Sequence, residues 1–369
     1  MKIGILTLPL INNYGGILQA FALLKTLNKL NYNSFLIDKK SYPKSRFYFL
    51  KIKIKYLFYY LVKKEKKSWV LSNKEREKRE KERSVNTSSF INKYVQPRTK
   101  AIYSSKELIE LSKDFDAIIV GSDQVWRPKY TDNIYDYYLS FVEEQACCKK
   151  IAYAASFGTD SWEYSMEEEK ECSRLIKLFK AISVREISGV NLCQSKLGVN
   201  VSHVLDPTML LTAKDYIEII KIDSEKKSTG DLMVYLLDRN SESNSIVDLF
   251  SKDYTVFNFE SSNVSSNPRV EEWIRGFYDA QFIITDSFHG CVFSILFNKP
   301  FIAIGNLKRG VARFESLLST FNLEDRLLTG YNKHKIYALK SEAIDWDPIN
   351  KILEQRRKES LAFLTNSLS

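Results

Sequence analysis

The 369-residue sequence contains few of the residues that most often bind metals or form cross-links. Its three histidines and five cysteines show no zinc-type spacing, and no HExxH motif occurs, so we expect no metal site. The cysteines have no CxxC spacing, which argues against a disulfide framework and favours a reducing compartment such as the cytoplasm. A Walker-type phosphate loop is also missing.

Long apolar runs are absent as well. No stretch reaches the ~18 uninterrupted apolar residues that a membrane-spanning helix needs, and the nearest candidate, residues 47–62, contains three lysines. Residues 3–11 superficially resemble a signal peptide, but they lead into Asn-Asn-Tyr-Gly-Gly rather than a small-residue cleavage site. A first strand followed by a loop is the better interpretation.

Acidic residues are scarce in one segment only. The chain has a net charge of +10, yet residues 39–100 contain 20 Lys or Arg, 5 Glu and no Asp, so the remainder is mildly acidic. This distribution disfavours a nucleic-acid binder. The first half of residues 39–100 mixes lysine with Phe, Tyr and Leu, and residues 39–100 are expected to contact an anionic membrane at the inner face of the plasma membrane. A solvated helical hairpin without a partner is the alternative.

The remaining pattern alternates strands and helices. Residues 2–8, 17–30 and 34–37 form a strand, a helix and a second strand, which predicts a parallel sheet. The same rhythm resumes after the basic segment. We therefore predict an N-terminal α/β domain over residues 1–200, with the basic segment 39–100 as a helical insert.

A second α/β domain is expected after the Asp206-Pro207 pair. Apolar strands again alternate with helices over residues 201–346, and a final helix within residues 347–369 is expected to pack back on the body. The fold class predicted from this pattern is α/β, with two successive open sheets.

Polar residues follow several first-domain strands, and in open α/β sheets ligands bind beyond the carboxyl ends of strands. Three such places are residues 12–16 with Gln19, the Gly-Ser-Asp-Gln-Val-Trp stretch at 121–126, and Arg185. Each has an alternative: a plain strand-to-helix turn, helix capping, and an internal salt bridge with Glu186.

The second domain offers a rarer group. His289 lies in Thr-Asp-Ser-Phe-His-Gly, between an apolar strand and a helix, where an imidazole can act as a general acid or base. Capping of its own helix is the alternative. Lys308, Arg309 and Arg313 follow the next strand and supply cations at the same rim, for phosphate binding or as simple surface charge.

Seven stretches in order resemble the polysaccharide pyruvyl transferase family. Together they span nearly the whole chain outside the basic segment. They cover residues 12–23, 116–126, 150–158, 182–186, 204–211, 285–304 and 309–318.

The resemblance implies two Rossmann-like domains facing a cleft, in the manner of the glycosyltransferase-B type. It also implies transfer of a pyruvyl group from phosphoenolpyruvate, the co-substrate, to a sugar of a cell-surface polysaccharide or its lipid-linked precursor, without a further cofactor. The product is a pyruvate ketal. A nucleotide-sugar glycosyltransferase and a non-catalytic assembly partner remain alternatives.

The resemblance also suggests residue roles. We expect His289 as the acid/base group and Arg185 as a donor-binding catalytic residue. Asp286 is expected either to orient His289 or to contact a sugar hydroxyl. Some family members have an arginine where this chain has Ser287, so Arg309 or Arg313 is expected to replace it, or the donor differs. The further expected donor-binding residues are Ser287, Gly290, Arg309 and Arg313. The expected acceptor-binding residues are Asn12, Tyr14, Gly15, Gly16, Gln19, Asp123, Gln124 and Trp126.

Overall fold

The computed structural model describes residues 1–41, 73–145, 147–223, 227–260, 268–305 and 310–369. Of residues 39–100, for which membrane contact was expected, residues 42–72 lie outside the described residues, as do Lys308 and Arg309. In the part of the chain that is described, no helix is long and apolar enough to cross a membrane.

Six parallel strands form the sheet of the first domain, in the order β2-β1-β3-β4-β5-β6. The strands are β1 (Lys2–Leu6), β2 (Asn33–Leu36), β3 (Ala117–Val120), β4 (Lys149–Ala155), β5 (Ala181–Val184) and β6 (Ser202–His203). Every residue of β3 is buried, because helices cover both faces of this parallel sheet. The short continuous apolar runs of the sequence are therefore its central strands.

The helices of this domain begin at clear sequence signals. They are α1 (Tyr14–Lys29), α2 (Asn73–Arg83), α3 (Val85–Tyr94), α4 (Ser105–Ser112), α5 (Met166–Leu175) and α6 (Ile187–Leu192). At the start of α5, for example, Ser165 and Glu168 form a reciprocal capping box. Sequence analysis missed α3, whose Phe90 packs edge-on against Phe21 of α1, with ring centroids 5.5 Å apart. This part of the basic segment is thus packed into the body of the domain.

A second parallel sheet has the order β11-β10-β9-β7-β8. Its strands are β7 (Leu232–Leu236), β8 (Val256–Glu260), β9 (Phe282–Thr285), β10 (Phe301–Ile304) and β11 (Leu327–Leu328). The remaining helices are α7 (Ala213–Asp223), α8 (Ser241–Phe250), α9 (Val270–Asp279), α10 (Phe288–Leu296), α11 (Ala312–Thr320), α12 (Lys333–Ser341) and α13 (Trp346–Leu368). The predicted fold of two Rossmann-like α/β domains is confirmed.

Helix α13 returns from the second domain and holds the segment that joins the two sheets. The Arg357 Nε donates to the Met209 carbonyl at 2.8 Å, and Ser360 Oγ accepts from the Leu205 amide at 3.0 Å. Farther along α13, the Leu368 carbonyl accepts from Lys149 Nζ in β4 at 2.7 Å. The joining segment, which contains Asp206, is therefore held at defined points by the last helix.

Candidate active site between the two sheets

The first sheet has a topological switch point between β1 and β3, because the chain leaves β1 toward β2 on one side and β3 lies on the other. Open α/β sheets bind ligands at such a crevice. Here two predicted positions meet across it, since Asn13 Nδ2 donates to Asp123 Oδ2 at 3.2 Å. Gly16 lies beside them, and a Cβ added there would approach Asp123 Oδ2 to 3.2 Å.

Arg185 follows β5 and is enclosed by three carboxylates. Its guanidinium lies 2.8 Å from Asp206, 3.2 Å from Glu186 and 3.7 Å from Asp123, with the side chain only 1 % exposed. Burial opposes its charge, but the three carboxylates outweigh burial and raise the pKa of Arg185 above its ordinary value. Arg185 was predicted to hold the donor. The structure surrounds its guanidinium with carboxylates, while its buried Nη2 has no hydrogen-bond partner among the described residues, so donor binding by Arg185 stays a prediction.

Asp206 is the functional candidate that sequence reasoning missed. Its Oδ2 lies 3.6 Å from His289 Nε2, and its Oδ1 accepts from the backbone N–H of Thr208 at 2.9 Å. Burial by itself would raise the pKa of the Asp206 carboxyl, but His289 and Arg185 outweigh burial and hold that pKa far below its usual range. The sequence offered one signal, the family-like stretch 204–211, but Asp206 was taken there only as a domain boundary.

His289 belongs to the second domain but its ring lies against the first. A Cβ on Gly15 at the start of α1 would come within 2.0 Å of His289 Nδ1, so only glycine permits this approach. The residue is 7 % exposed, and among the described residues its Nε2 has no hydrogen-bond partner. A buried imidazole nitrogen that faces a carboxylate and has no hydrogen-bond partner is suited to exchange a proton with a ligand.

Asp286 does not orient His289 as expected. Its two carboxylate oxygens accept from the backbone N–H groups of Leu237 at 2.6 Å and Asp238 at 2.8 Å. These bonds span the switch point of the second sheet, between β7 and β9. The carboxylate that faces the imidazole is Asp206 instead, because it lies on the segment joining the two sheets.

Arg313, near the start of α11, is the arginine that retains capacity for a ligand. Among the described residues no carboxylate forms a salt bridge with it, and its buried Nε has no hydrogen-bond partner. Burial and the nearby Arg185 charge lower its pKa below the ordinary value for arginine, although Glu186 and Asp123 partly oppose them. An anion bound here would relieve the repulsion between the two arginines.

The other predicted donor-binding residues surround the base of His289. Gly290 permits close packing, because a Cβ there would lie 2.1 Å from Thr285 Oγ1. The same Thr285 hydroxyl accepts from the Ser287 backbone N–H at 3.1 Å. Ser287 and Gly290 thus shape the turn that presents the imidazole.

Three of the predicted acceptor-binding side chains are bonded to the backbone of the protein. The fully buried Gln19 accepts from the Ser122 backbone N–H at 2.9 Å, and the fully buried Trp126 donates to the Tyr137 carbonyl at 3.0 Å. Tyr14 reaches across to the second domain and donates to the Pro268 carbonyl at 2.5 Å. These three side chains are therefore not placed to touch a sugar.

Two further predicted acceptor residues lie closer to open space. Gln124 is half-buried and lies over Gly158, where an added Cβ would come within 1.9 Å of Gln124 Oε1. Asn12 is half-buried in the loop before α1. Acceptor binding by Gln124 and Asn12 therefore stays a prediction.

The fold is similar to that of several solved structures. The chain matches a UDP-GlcNAc 2-epimerase from Neisseria meningitidis bound to UDP-GlcNAc, with a TM-score of 0.53, 12 % identity and coverage of 99 % of this chain and 100 % of that one. It also matches a TarM variant from S. aureus, in complex with fondaparinux, α-GlcNAc-glycerol and UDP, with a TM-score of 0.52 and 10 % identity. That match covers 100 % of this chain and 99 % of the TarM chain. Both likenesses support the predicted fold of the glycosyltransferase-B type.

Sequence comparison gives the family. A search of curated proteins finds no match. The polysaccharide pyruvyl transferase family, however, matches residues 13–308, which include the crevice at β1 and β3, the joining segment and the His289 turn. The chain therefore belongs to the polysaccharide pyruvyl transferase family.

Proposed function

We propose that the protein transfers a pyruvyl group from phosphoenolpyruvate to two hydroxyls of one sugar, forming a ketal and releasing phosphate. The observation that carries this proposal is the pairing of His289 with Asp206, together with Arg313, whose buried Nε has no hydrogen-bond partner among the described residues. It combines a proton-exchanging group with an arginine that lacks a carboxylate partner among the described residues. Family membership supports the transferase class, and the site supplies the groups that this chemistry uses.

The first step is protonation of the donor. The methylene carbon of phosphoenolpyruvate takes the imidazolium proton of His289, and the adjacent carbon becomes an oxocarbenium-like electrophile. Asp206, 3.6 Å from Nε2, stabilises the imidazolium before the proton leaves. Because Nε2 is buried where the two domains meet, substrate entry requires the domains to part.

The remaining steps balance the reaction. One sugar hydroxyl adds to the electrophilic carbon and gives up its proton, after which the carbon–oxygen bond to phosphate breaks. The second hydroxyl then adds to the same carbon and gives up its proton. One of these two protons restores the imidazolium, and the other leaves with phosphate. The scheme assigns no step to a metal or a further cofactor.

Arg313 is assigned to the donor anion, because it forms no salt bridge in the described part of the chain and its buried Nε has no hydrogen-bond partner there. Lys308 and Arg309, which the sequence places just before it, add to the cationic side of the donor site. Arg185 acts indirectly, by holding Asp123 and Asp206 in place. The donor charge is thus met mainly by the second domain.

The acceptor we propose is a sugar of a surface polysaccharide or of its lipid-linked precursor. The basic, aromatic-rich residues 47–67 then place the enzyme at an anionic membrane surface. Deleting residues 47–67 should weaken sedimentation with anionic vesicles while leaving phosphoenolpyruvate binding intact. Unchanged sedimentation would exclude this membrane role.

Phosphate release tests the proposal. Purified protein is incubated with phosphoenolpyruvate, with and without lipid-linked oligosaccharides extracted from host cells. We expect release that depends on the oligosaccharide, a product carrying a pyruvate ketal, and loss of both in His289→Gln. Phosphate release that ignores the acceptor would contradict the proposal. Binding of UDP but not phosphoenolpyruvate would favour the nucleotide-sugar glycosyltransferase, and polysaccharide formation unaffected by His289→Gln would favour the non-catalytic partner.

A further inference from the structure

An exposed tyrosine lies on the first-domain side of the candidate site. Tyr130 ends a short helical turn, Pro128–Tyr130, that follows the carboxyl end of β3 only a few residues after Asp123. It is 49 % exposed, although the neighbouring aromatic residue Trp126 is fully buried. Open α/β sheets bind their ligands at this edge, so the ring lies where a substrate approaches.

The ring is held in place by a chain of charged contacts. The Arg127 guanidinium lies 4.8 Å from the centre of the Tyr130 ring and covers one face. Glu163 accepts from Arg127 Nε at 3.0 Å and from its NH2 at 3.2 Å, and also pairs with Lys129 at 2.7 Å. In the described part of the chain, no other cation and no aromatic ring covers the second face of this exposed ring. Such bracing fixes an exposed side chain that would otherwise change rotamer freely.

The same arginine connects the ring to the site. Arg127 NH1 donates to Gln124 Oε1 at 3.0 Å, and Gln124 lies directly over Gly158. Gly310 of the second domain meets this glycine, since a Cβ there would lie 3.1 Å from the Gly158 carbonyl oxygen. Arg313 follows Gly310 by three residues in the chain. Through Arg127 and Gln124 the ring is therefore linked to the place where the first domain meets the loop before Arg313.

We propose that the open face of Tyr130 binds one pyranose ring of the acceptor, with the Gln124 side-chain amide contacting a hydroxyl. The chemistry of the patch favours a neutral sugar. Glu163 and Gln124 occupy the Arg127 N–H groups that an anion would otherwise use. What remains is an aromatic face, which packs against the C–H face of a sugar, and an amide donor. The inference rests on the proposed function only in taking the acceptor to be a sugar.

Binding of simple sugars tests this directly. The probes are methyl glucopyranoside, methyl galactopyranoside and methyl N-acetylmannosaminide, observed by saturation-transfer NMR with the full-length protein. Tyr130→Ala should weaken the signal of the best-bound sugar about tenfold, whereas Tyr130→Phe should retain it because the ring face is kept. Melting temperatures of all variants confirm that each is folded.

Tyr337 provides a matched control. It is 45 % exposed, and Lys333 lies over its ring, as Arg127 does over Tyr130. Its helix α12 contacts the end of α8 through Lys340 and Asp253 rather than the site loops. Tyr337→Ala should therefore leave the sugar signal unchanged, so a loss confined to Tyr130→Ala identifies the subsite.

The outcomes separate this inference from the proposed reaction. Sugar binding that depends on Tyr130, in a protein that does not use phosphoenolpyruvate, would support the subsite and contradict the proposed donor. Turnover of phosphoenolpyruvate with an acceptor KM unchanged in Tyr130→Ala would overturn the subsite and support the reaction. Equal sugar signals in wild type and Tyr130→Ala, or no signal from any of the three probes, would also overturn the subsite.

Discussion

The two sheets share one strand topology, but the crevices at their switch points hold different chemistry. Between β1 and β3, Asn13 meets Asp123, and the side chains of Arg185 and His289 lie close by. Between β7 and β9, the Asp286 carboxylate instead accepts from two backbone N–H groups of its own domain. Topology thus provides two similar crevices, and the residues at the strand ends decide what each does.

The two crevices differ in the groups that face their carboxylates. The Asp286 carboxylate accepts from two backbone N–H groups and so links two strand ends of the second sheet. In the first crevice the Asp206 carboxylate faces two side chains, the Arg185 guanidinium and the imidazole of His289. A proton gained or lost by an imidazole changes the charge that faces Asp206, which makes the first crevice suited to acid–base chemistry. We therefore expect loss of proton transfer when His289 of the first crevice is replaced, and loss of stability without loss of proton transfer when Asp286 of the second is replaced.

Replacing one residue in each crevice tests this contrast most strongly. His289→Gln should lower kcat about 10²- to 10⁴-fold with little change in melting temperature, because general acid–base catalysis is lost. Asp286→Asn should keep most of the activity but lower stability by about 1–3 kcal/mol, because an amide cannot accept both backbone bonds through oxygen. Steady-state kinetics and thermal melts measure the two effects. A large loss of kcat in Asp286→Asn, with stability lost mainly in His289→Gln, would contradict this contrast between the crevices.

Asp206→Asn should be the most destabilising change in the first crevice. It leaves Arg185 and His289 without their shared carboxylate, at a cost of about 3–5 kcal/mol in urea unfolding at neutral pH. The pKa of Asp206 is lower in the folded than in the unfolded protein. Its stabilisation is therefore present above the unfolded value of about 3.9 and is lost as the pH falls below it.

The variant should consequently show a smaller loss of stability between neutral pH and pH ~3 than the wild type. Asp160→Asn, in a loop of the same domain, is a suitable control because its carboxylate contacts only the nearby hydroxyls of Thr159 and Ser161. Equal stability of Asp206→Asn and wild type at both pH values would show that the carboxylate does not hold the cluster together.

Replacing Arg185 should affect mainly stability, whereas replacing Arg313 should affect mainly donor binding. Arg185→Lys should lower the melting temperature, since an ammonium cannot replace a guanidinium that faces three carboxylates. Arg313→Lys should keep the melting temperature but raise the KM for phosphoenolpyruvate about tenfold, because a two-point contact with the donor is lost. Titration calorimetry with phosphoenolpyruvate checks the second effect. A donor KM that responds to Arg185 alone would reverse the assignments.

The smallest expected effect concerns His203, which couples the first crevice to α13. Its Nε2 lies 3.0 Å from the Arg185 carbonyl oxygen and its Nδ1 3.2 Å from Arg356. Burial, with help from Arg356, lowers the pKa of His203. The unfolded state therefore binds the proton more readily, so stability falls as the pH drops below about 6.5.

In His203→Gln this part of the pH dependence should disappear. Melting temperatures measured across the mildly acidic range check it, with His334→Gln, on α12, as the control. A wild-type profile that is flat through this range, or one that His203→Gln leaves unchanged, would contradict the assignment.

Most of the fold could be predicted from sequence, because buried parallel strands leave short apolar runs such as residues 117–120. Helix α3 was missed because its helical pattern is weak and its packing on Phe21 involves residues far apart in the chain. The position of His289 was predictable from a polar turn after an apolar strand.

Partners that lie far apart in sequence were not predictable. Asp206 lies 83 residues from His289 in the chain, yet it is the carboxylate that faces the imidazole. Sequence proximity suggested Asp286 instead, and only the three-dimensional path of the joining segment decides between them. The same limit explains Arg185, which looked free for a ligand until its three carboxylates were seen together.

Isotope tracing is the sharpest test of the proposed ketal transfer from phosphoenolpyruvate. Phosphoenolpyruvate carrying a heavy oxygen isotope in the bridge between carbon and phosphorus is turned over with the oligosaccharide acceptor in deuterated water. The account predicts that the heavy oxygen leaves with phosphate and that the new methyl group of the ketal contains one deuterium. Heavy oxygen retained by the three-carbon product would instead show cleavage between phosphorus and oxygen, and would contradict ketal transfer at this site.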